Sequence, residues 1–376
     1  MLMQSKELIS IINSYWNHTD LPDFQNWEEL FYCAKKHSVS SIFYEAVKSS
    51  KNVPEAVKQA AEKHRLAQIS QQIAQSYYAE EICRWLKENQ IRYMPLKGYI
   101  LRSLYPLEEL RSSCDVDIFY DVAHKNKVDE KMKRLGFSCK KDGEWQNGNV
   151  TVEMHAALVA ENDVDSDYYQ DVWNRLTTND GIRFEFSKED FYVYMIKHAK
   201  THFLWGGFGV RTILDLYVYH TAYPSLDKEY LRREFTKLGV VQFETCLKEL
   251  AFSWFGGKEA TVELTELEKY IFQSGTYGIA QNRVAIVGGG KDQNLKTIRR
   301  RYLFKTLFPS YRIMCGKYPF LKKFPLLLPF MWGYKWFEVL FTRRQRIKSI
   351  KQTMQSVDEK QIQTTQKALE ITGLQN

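Results

Sequence analysis

The chain lacks the features that mark secreted proteins and thiolate zinc proteins. Its six cysteines are scattered, and none belongs to a Cys-x-x-Cys pair or to a dense framework. This distribution is typical of reduced thiols and argues against a disulfide scaffold or a thiolate zinc site. The first residues also lack the basic, then apolar, then small-residue order of a secretion signal. We therefore expect a cytoplasmic protein.

Two sequence motifs for metal and nucleotide binding are absent as well. His198 and His202 lie four residues apart, but Ala199 stands where a His-Glu-x-x-His zinc site requires glutamate. The glycine run at 288–290 is not a P-loop, because Asp292 occupies the position that requires Ser or Thr. We interpret the two histidines as core or site-lining residues and the glycine run as a flexible turn or linker.

No unbroken apolar stretch is long enough to cross a bilayer. Residues 324–341 come closest, yet they are interrupted by Pro325, Pro329, Lys335 and Glu338. Three interpretations of this aromatic and basic segment are open. Its apolar side chains pack on the core of the protein, which is the favoured interpretation, or the segment lies on a membrane face, or its basic side chains contact nucleic acid.

Positive charge is concentrated in the last quarter of the chain. The net charge is +8, but residues 283–376 carry 19 Lys and Arg against 5 Asp and Glu. The preceding 282 residues carry 34 basic against 40 acidic side chains. The overall basicity therefore says nothing about the region before residue 283.

Hydrophobic periodicity divides the chain into four regions. Helical spacing of apolar residues predicts an N-terminal helical region at 1–90, and strand patterns predict a small α/β core at 91–190. Helical spacing returns at 191–282, in a region expected to pack on the core, and 283–376 form a basic, aromatic-rich helical segment. The predicted fold class is α+β, with a small mixed β-sheet core between N-terminal and C-terminal helical regions.

Three short strands are expected in the α/β core. Apolar runs predict strands near 91–96, 114–120 and 150–156. Between the first two, Gly98 opens a helix that Pro106 ends. Polar turn residues precede the third strand.

Two aspartates in the second strand are the strongest chemical signal. Asp115 and Asp117 are two residues apart, so their side chains share one strand face at a spacing of roughly 6–7 Å. Two such carboxylates repel each other unless a cation lies between them. Glu153 lies in the third strand, on a face shared with Thr151 and His155, while the opposite face is apolar. Three carboxylates on adjacent strands suit Mg²⁺, so we predict Asp115, Asp117 and Glu153 as metal ligands and catalytic residues.

Phosphate donors are expected upstream of the aspartates. Lys97 supplies a positive charge, and Gly98 permits close approach of the backbone at the start of a helix. Arg111, Ser112 and Ser113 lead directly into the acidic strand and add guanidinium and hydroxyl donors. We predict these five residues as contacts to the nucleotide phosphates.

These residues together resemble a known signature. The chain resembles the uncharacterised nucleotidyltransferase family at Leu96-Lys97-Gly98, Tyr105, Arg111 and Asp115-Val116-Asp117-Ile118. That family is a divergent branch of the polymerase-β-like nucleotidyltransferase superfamily. Val152-Glu153-Met154-His155 resembles the strand that carries the family's third carboxylate. The family's histidine-bearing helix pair is similar to the segment that contains His198, His202, Arg211 and Asp215. The resemblance covers most of residues 25–340.

The resemblance implies both a fold and a substrate. It implies a mixed sheet with helices on one face, Mg²⁺ (or Mn²⁺) at Asp115, Asp117 and Glu153, and an NTP substrate. The chain departs from the wider superfamily at one point: Lys97-Gly98 stands where that superfamily has Gly-Ser ahead of its acid pair.

The predicted function is metal-dependent transfer of an NMP from an NTP to an acceptor hydroxyl. A small molecule or sugar is favoured as acceptor over protein or RNA. Two alternatives stay open: the same site modifies a protein or RNA partner, or the chain is a catalytically degenerate module that binds nucleotide or a membrane surface. The roles of the remaining polar residues of the signature are left open, namely His155, His198, His202 and Asp215.

Overall fold

The computed structural model of the chain describes residues 2–160, 163–289, 294–342 and 344–375. Most of these residues are helical. The α-helices are Leu2–Trp16 (α1), Trp27–Lys36 (α2), Ser40–Val47 (α3), Glu55–Glu88 (α4), Lys97–Arg102 (α5), Lys125–Arg134 (α6), Lys188–Trp205 (α7), Val210–Ala222 (α8), Lys228–Lys237 (α9), Val241–Phe255 (α10), Thr265–Ser274 (α11), Ala280–Gly288 (α12), Leu295–Leu307 (α13), Tyr311–Lys317 (α14), Leu328–Thr342 (α15), Arg344–Ser356 (α16) and Glu359–Ile371 (α17).

The β-strands form one mixed sheet and one small pair. The strands are Tyr93–Pro95 (β1), Asp115–Tyr120 (β2), Ser138–Lys141 (β3), Glu144–Asn147 (β4), Val150–His155 (β5), Thr177–Thr178 (β6) and Phe184–Glu185 (β7). The first five make a sheet in the order β1-β2-β5-β4-β3, in which β2 and β5 are parallel and the other neighbours antiparallel. The predicted α+β class, with helical regions on either side of a small mixed sheet, is confirmed.

Two strands of this sheet were not expected from the sequence. The predicted strands correspond to β1, β2 and β5, whereas β3 and β4 form a hairpin in the region expected to be a polar turn. All four side chains of β3 are exposed, so this strand carries no apolar alternation that would reveal it. It lies at the edge of the sheet, farthest from β1.

The long helix α4 joins two buried clusters. Near its start, Val57 and Ala61 belong to the largest cluster, which also includes apolar side chains of α1, α2, α3, α7, α8, α10 and α11. Near its end, Ile82 and Leu86 pack with the apolar face of the sheet. The N-terminal helices therefore share one core with the helices that follow the sheet, while the four-region division of the chain stays a prediction.

The C-terminal helices pack in a different way. Met314, Cys315 and Leu321 form a small separate cluster against which Met331 and Trp332 pack, so α15 packs on the segment that precedes it and not on the largest cluster. The last helix, α17, returns to the largest cluster. Gly288 ends α12 and is buried, whereas residues 290–292 of the expected turn and the basic residue at 343 lie outside the described residues. Within the described ranges, none of the helices combines the length and the apolarity needed to span a bilayer.

Candidate functional site

The parallel pairing of β2 and β5 places acidic side chains next to each other. Asp117 lies directly opposite Glu153 in the register, and Asp115 lies opposite Thr151. The side chains on this face are half-buried, while the residues between them point into the apolar core. Because side chains alternate along both strands, the pairing brings the two carboxylates to one surface of the sheet.

His155 completes a compact group of possible metal ligands. Its Nε2 atom lies 2.8 Å from Asp117 Oδ1 and 3.6 Å from Glu153 Oε2. One ligand atom from each of these three residues lies within 4.8 Å of the others, and this is the one such group found among the described residues. Two carboxylates and an imidazole suit a divalent cation, since carboxylates bind Mg²⁺ or Mn²⁺ and imidazole is a common ligand of transition metals.

Asp115 lies beside this group without belonging to it. It lines the same pocket as Asp117 and Glu153. The Ser113 hydroxyl donates to the Asp115 carbonyl oxygen at 2.9 Å and lies 3.4 Å from its Oδ1 atom. The structure therefore brings the three predicted acids to one pocket, but His155, and not Asp115, completes the compact group with Asp117 and Glu153.

The electrostatics of the group follow from burial and mutual repulsion. Burial, and then the neighbouring Asp117 charge, raise the pKa of both Asp115 and Glu153. Burial acts on Asp117 in the same direction, but the hydrogen bond and the charge of His155 outweigh it and lower the Asp117 pKa. Burial lowers the pKa of His155, and the Asp117 hydrogen bond reverses that effect, so its pKa is raised overall. A proton on the imidazole compensates part of the negative charge of the acids, which is why the Asp117 hydrogen bond raises the His155 pKa.

The acids face a pocket of about 270 Å³ whose other walls carry basic and aromatic side chains. Lys97 enters it from α5, Tyr194 from α7 and Arg211 from α8. Burial lowers the pKa of Lys97 to about 8, although the Asp117 charge opposes this effect. No hydrogen bond or ion pair joins the Lys97 ammonium to another residue in the part of the chain that the structure describes. The pocket therefore pairs an acidic wall with a cation that is available to a ligand.

His198 and His202 line the pocket together. Their Nε2 atoms lie 2.7 Å apart on successive turns of α7. Burial, followed by the Lys97 charge, lowers the pKa of His202 to about 4 and lowers that of His198 well below its usual range. Both imidazoles are therefore neutral at physiological pH, and they lie apart from the possible ligand group.

Arg111 also lines the pocket, but its guanidinium is held from behind. Its Nε and Nη2 atoms donate to the two carboxylate oxygens of Asp215 at 2.8 and 2.9 Å. The Tyr105 hydroxyl donates to the same carboxylate at 2.8 Å. Both partners of this ion pair are buried, so Arg111 is tied to α8 by a bidentate contact.

The other predicted phosphate contacts differ in position. Gly98 and Ser113 line the pocket, whereas Ser112 does not. A Cβ atom on Gly98 would lie 3.1 Å from the Ser113 hydroxyl, so a glycine allows α5 to approach the loop before β2. The Ser112 carbonyl accepts a hydrogen bond of 2.7 Å from Arg211, which links this loop to α8.

Sequence reasoning missed one wall of the pocket. Tyr277 lines it, and its hydroxyl contacts the Cys114 thiol just ahead of β2. This wall is held by a close backbone contact between Gly206 and Gly278, both in the left-handed region of φ. The Ile279 amide donates to the Gly206 carbonyl at 3.0 Å. The clustering of glycines near residues 206 and 278 was the available signal for this contact.

Comparison with known proteins identifies one similarity. A family model described as uncharacterised nucleotidyltransferase matches residues 23–256. No curated protein and no solved structure matches the chain. The matched span contains β2, β5 and α7, and therefore Asp115, Asp117, Glu153 and both pocket histidines, but it ends before Tyr277.

Proposed function

The chain belongs to the uncharacterised nucleotidyltransferase family, and from this premise we propose that it moves an NMP from an NTP to an acceptor hydroxyl with a bound divalent cation. Family membership indicates nucleotidyl transfer as the general activity. The metal, the acceptor and the roles of individual residues are parts of the proposal. The proposal includes a cytoplasmic location, since the cysteines are all free thiols.

One observation carries the proposal: Asp117 and Glu153 lie opposite each other across parallel strands, in a pocket that also contains Asp115 and Lys97. A surface ion-pair network would neutralise acids with nearby basic side chains. Here the acids repel each other, and the nearest compensating group is an imidazole. Such an arrangement suits a site in which a bound cation neutralises the acids and a bound phosphate group neutralises the lysine.

The proposed metal ligands are Asp115, Asp117 and Glu153, with His155 as a further candidate. When bound there, Mg²⁺ or Mn²⁺ would neutralise charge on the phosphate oxygens and align the reacting groups. His155 holds the Asp117 carboxylate by a hydrogen bond and so orients the oxygen that faces the pocket. Glu153 lies where it could accept the proton of the acceptor hydroxyl.

Lys97 is the proposed principal phosphate contact. Its ammonium enters the pocket and has no partner among the residues that the structure describes, so a phosphate oxygen would satisfy it. Ser113 and Gly98 lie beside it on the same wall. Arg111 and Ser112 are proposed to act less directly, since one is bound to Asp215 and the other positions Arg211.

The proposal is tested by measuring pyrophosphate release from each of the four common NTPs with Mg²⁺ or Mn²⁺ and a lysate fraction as the source of acceptor. We expect release by the wild-type protein and a loss of about a thousandfold in Asp117→Asn and Glu153→Gln, because metal stabilisation of a phosphoryl group contributes several kcal/mol. Glu144→Gln is the matched control. Glu144 lies opposite Glu153 on the neighbouring strand, but it lies outside the pocket.

Equal release by wild type and Asp117→Asn would overturn the assignment. The alternatives are distinguished in the same assay by an NTP labelled on the α-phosphate. Label on a protein or RNA would identify a macromolecular partner as acceptor, whereas label on a small molecule supports the favoured acceptor class. Nucleotide binding without release, unaffected by Asp117→Asn, would indicate a catalytically degenerate module.

A further inference from the structure

Large apolar side chains are exposed between α14 and the first turn of α15. Leu326 is 88% exposed, Phe330 75% and Phe324 58%. Two exposed lysines, Lys322 and Lys323, directly precede Phe324. A single exposed apolar residue needs no explanation, but several in a short segment indicate an interaction surface.

The exposed surface continues along one face of α15. Phe330, Tyr334, Phe337 and Leu340 are spaced by four, three and three residues, so they follow one helical stripe, and each is more than half exposed. We call these four residues, together with Phe324 and Leu326, the aromatic face.

The opposite side of α15 is fixed to the protein. The Trp336 indole donates to the Leu307 carbonyl at 2.7 Å, and the Trp332 indole donates to the Pro309 carbonyl at 3.1 Å. These bonds fix the rotation of the helix about its axis. The outward direction of the aromatic face therefore follows from the packing of the two tryptophans.

The charged residues in the sequence around the aromatic face are almost all basic. Residues 294–351 contain 15 Lys and Arg and a single acidic residue, Glu338, which pairs with Lys317. The rest of the chain is acidic on balance. A basic surface that also exposes aromatic and aliphatic side chains is complementary to anionic lipid headgroups above an acyl layer.

We propose that the aromatic face binds the surface of an anionic bilayer. Its apolar side chains enter the boundary between headgroups and acyl chains, and the surrounding lysines and arginines contact the headgroups. The helix lies on the surface and does not cross it, because α15 has only 15 residues and its four aromatic-face residues lie on one side. Nucleic acid fits this surface less well, because it offers no apolar layer to Leu326 and Leu340.

Membrane binding would also hold the catalytic pocket near the membrane surface. Arg312 of α14 donates to the Asp163 carbonyl and, at 3.2 Å, to the Ser166 hydroxyl, in the segment that follows β5. The aromatic face is thereby connected to the strand that carries Glu153. This inference does not depend on the proposed function, since vesicle binding is measured without any nucleotide.

The test is co-sedimentation of the full chain with phosphatidylcholine vesicles, with and without phosphatidylglycerol. We expect binding to the anionic vesicles that weakens as salt is raised. Leu326→Ser/Phe330→Ser should reduce the partition coefficient by about tenfold or more, because two large apolar side chains no longer leave water. Lys322→Glu/Lys323→Glu should weaken binding to the anionic vesicles alone.

Matched controls separate this surface from general effects. Leu66→Ser/Ile73→Ser removes two apolar side chains of α4 that are also more than half exposed, and Lys133→Glu/Lys140→Glu reverses two exposed lysines near β3. Both controls should bind like wild type, and all variants should keep the wild-type unfolding temperature.

Three outcomes would overturn the proposal. The first is no binding to anionic vesicles above the level seen with neutral ones. The second is equal loss in the aromatic-face variant and its control. The third is binding to RNA or DNA, or formation of dimers through the same residues, without any vesicle binding.

Discussion

The buried ion pair between Arg111 and Asp215 shows how a single contact supports the pocket. Removing one partner leaves the other charged group buried without compensation, which costs about 3–5 kcal/mol in typical proteins. We therefore expect Arg111→Met to lower the free energy of unfolding by about that amount, measured by urea denaturation. The double variant Arg111→Met/Asp215→Leu should recover much of the loss, because it leaves no unpaired charge.

The same variants test what Arg111 does in the reaction. If it acts through Asp215, pyrophosphate release should fall in proportion to the folded fraction, and KM for the NTP should change little. A large increase in KM with unchanged stability would instead indicate that Arg111 contacts the phosphates directly.

Lys97 carries a pH dependence whose sign can be worked out. Burial lowers its pKa from 10.5 to about 8 in the folded protein. Below pH 8 the ammonium is charged in both states, so the folded state bears the full cost of the buried charge. Between pH 8 and 10.5 the unfolded chain binds more protons, and this contribution makes stability rise with pH.

Lys97→Met should consequently be more stable than wild type at pH 7, and the difference should shrink as the pH rises from 8 towards 10.5. Urea unfolding of both proteins across this range measures it. NTP affinity of the wild type should fall as the pH rises through about 8, because deprotonation removes the proposed phosphate contact. A constant stability difference across the range would show that Lys97 stays protonated.

At the scale of residues, strand alternation was enough to predict that Asp117 and Glu153 share a face. It could not predict that His155, and not Asp115, completes the compact group with them, because that depends on how the imidazole side chain is turned. Nor could it predict the partner of Arg111, which lies on a helix about a hundred residues further along the chain.

At the scale of elements, the contact between Gly206 and Gly278 supports the wall that carries Tyr277. A Cβ atom on Gly278 would lie 2.6 Å from the Gly206 carbonyl carbon, and its φ is +67°. Gly278→Ala should therefore combine a left-handed conformation with a backbone clash and cost about 2–4 kcal/mol. Thermal unfolding checks the stability, and KM for the NTP checks the displacement of Tyr277.

Gly257→Ala is the control for this prediction. Gly257 has a φ of +64°, but nothing lies within 4 Å of the added Cβ atom. Its substitution should lower the free energy of unfolding by about 1 kcal/mol, because only the left-handed backbone conformation is then unfavourable. Equal losses in the two variants would mean that the backbone contact contributes nothing.

The elements themselves could be predicted only where they bury an apolar face. β2 and β5 alternate between apolar and polar residues, and both appear in the sequence pattern. The hairpin of β3 and β4 is mostly exposed, so its pairing depends on backbone hydrogen bonds that leave no periodic signal. The packing of α1 against α10 could not be predicted either. The spacing of apolar residues reveals the buried face of a helix but not the element that it packs against.

At the scale of the whole molecule, the span matched by the family is smaller than the core that supports it. Residues 23–256 exclude α1, whose Leu8 and Ile11 are fully buried, and α11, whose Leu267 and Tyr270 are fully buried. All four side chains belong to the largest cluster. A fragment of residues 23–256 would expose the surfaces that these helices cover.

We expect this fragment to lose cooperative unfolding, because a domain is only marginally stable and each large apolar side chain that is buried contributes about 1.5–3 kcal/mol. Near-UV circular dichroism and thermal unfolding of fragments 23–256 and 23–375 measure the effect, with the full chain as reference. The fragment 23–375 loses α1 alone, so it should retain a cooperative transition, at a lower temperature than the full chain. A cooperative transition of fragment 23–256 at the temperature of the full chain would contradict the prediction, and would show that the matched span folds independently of the helices that cover it.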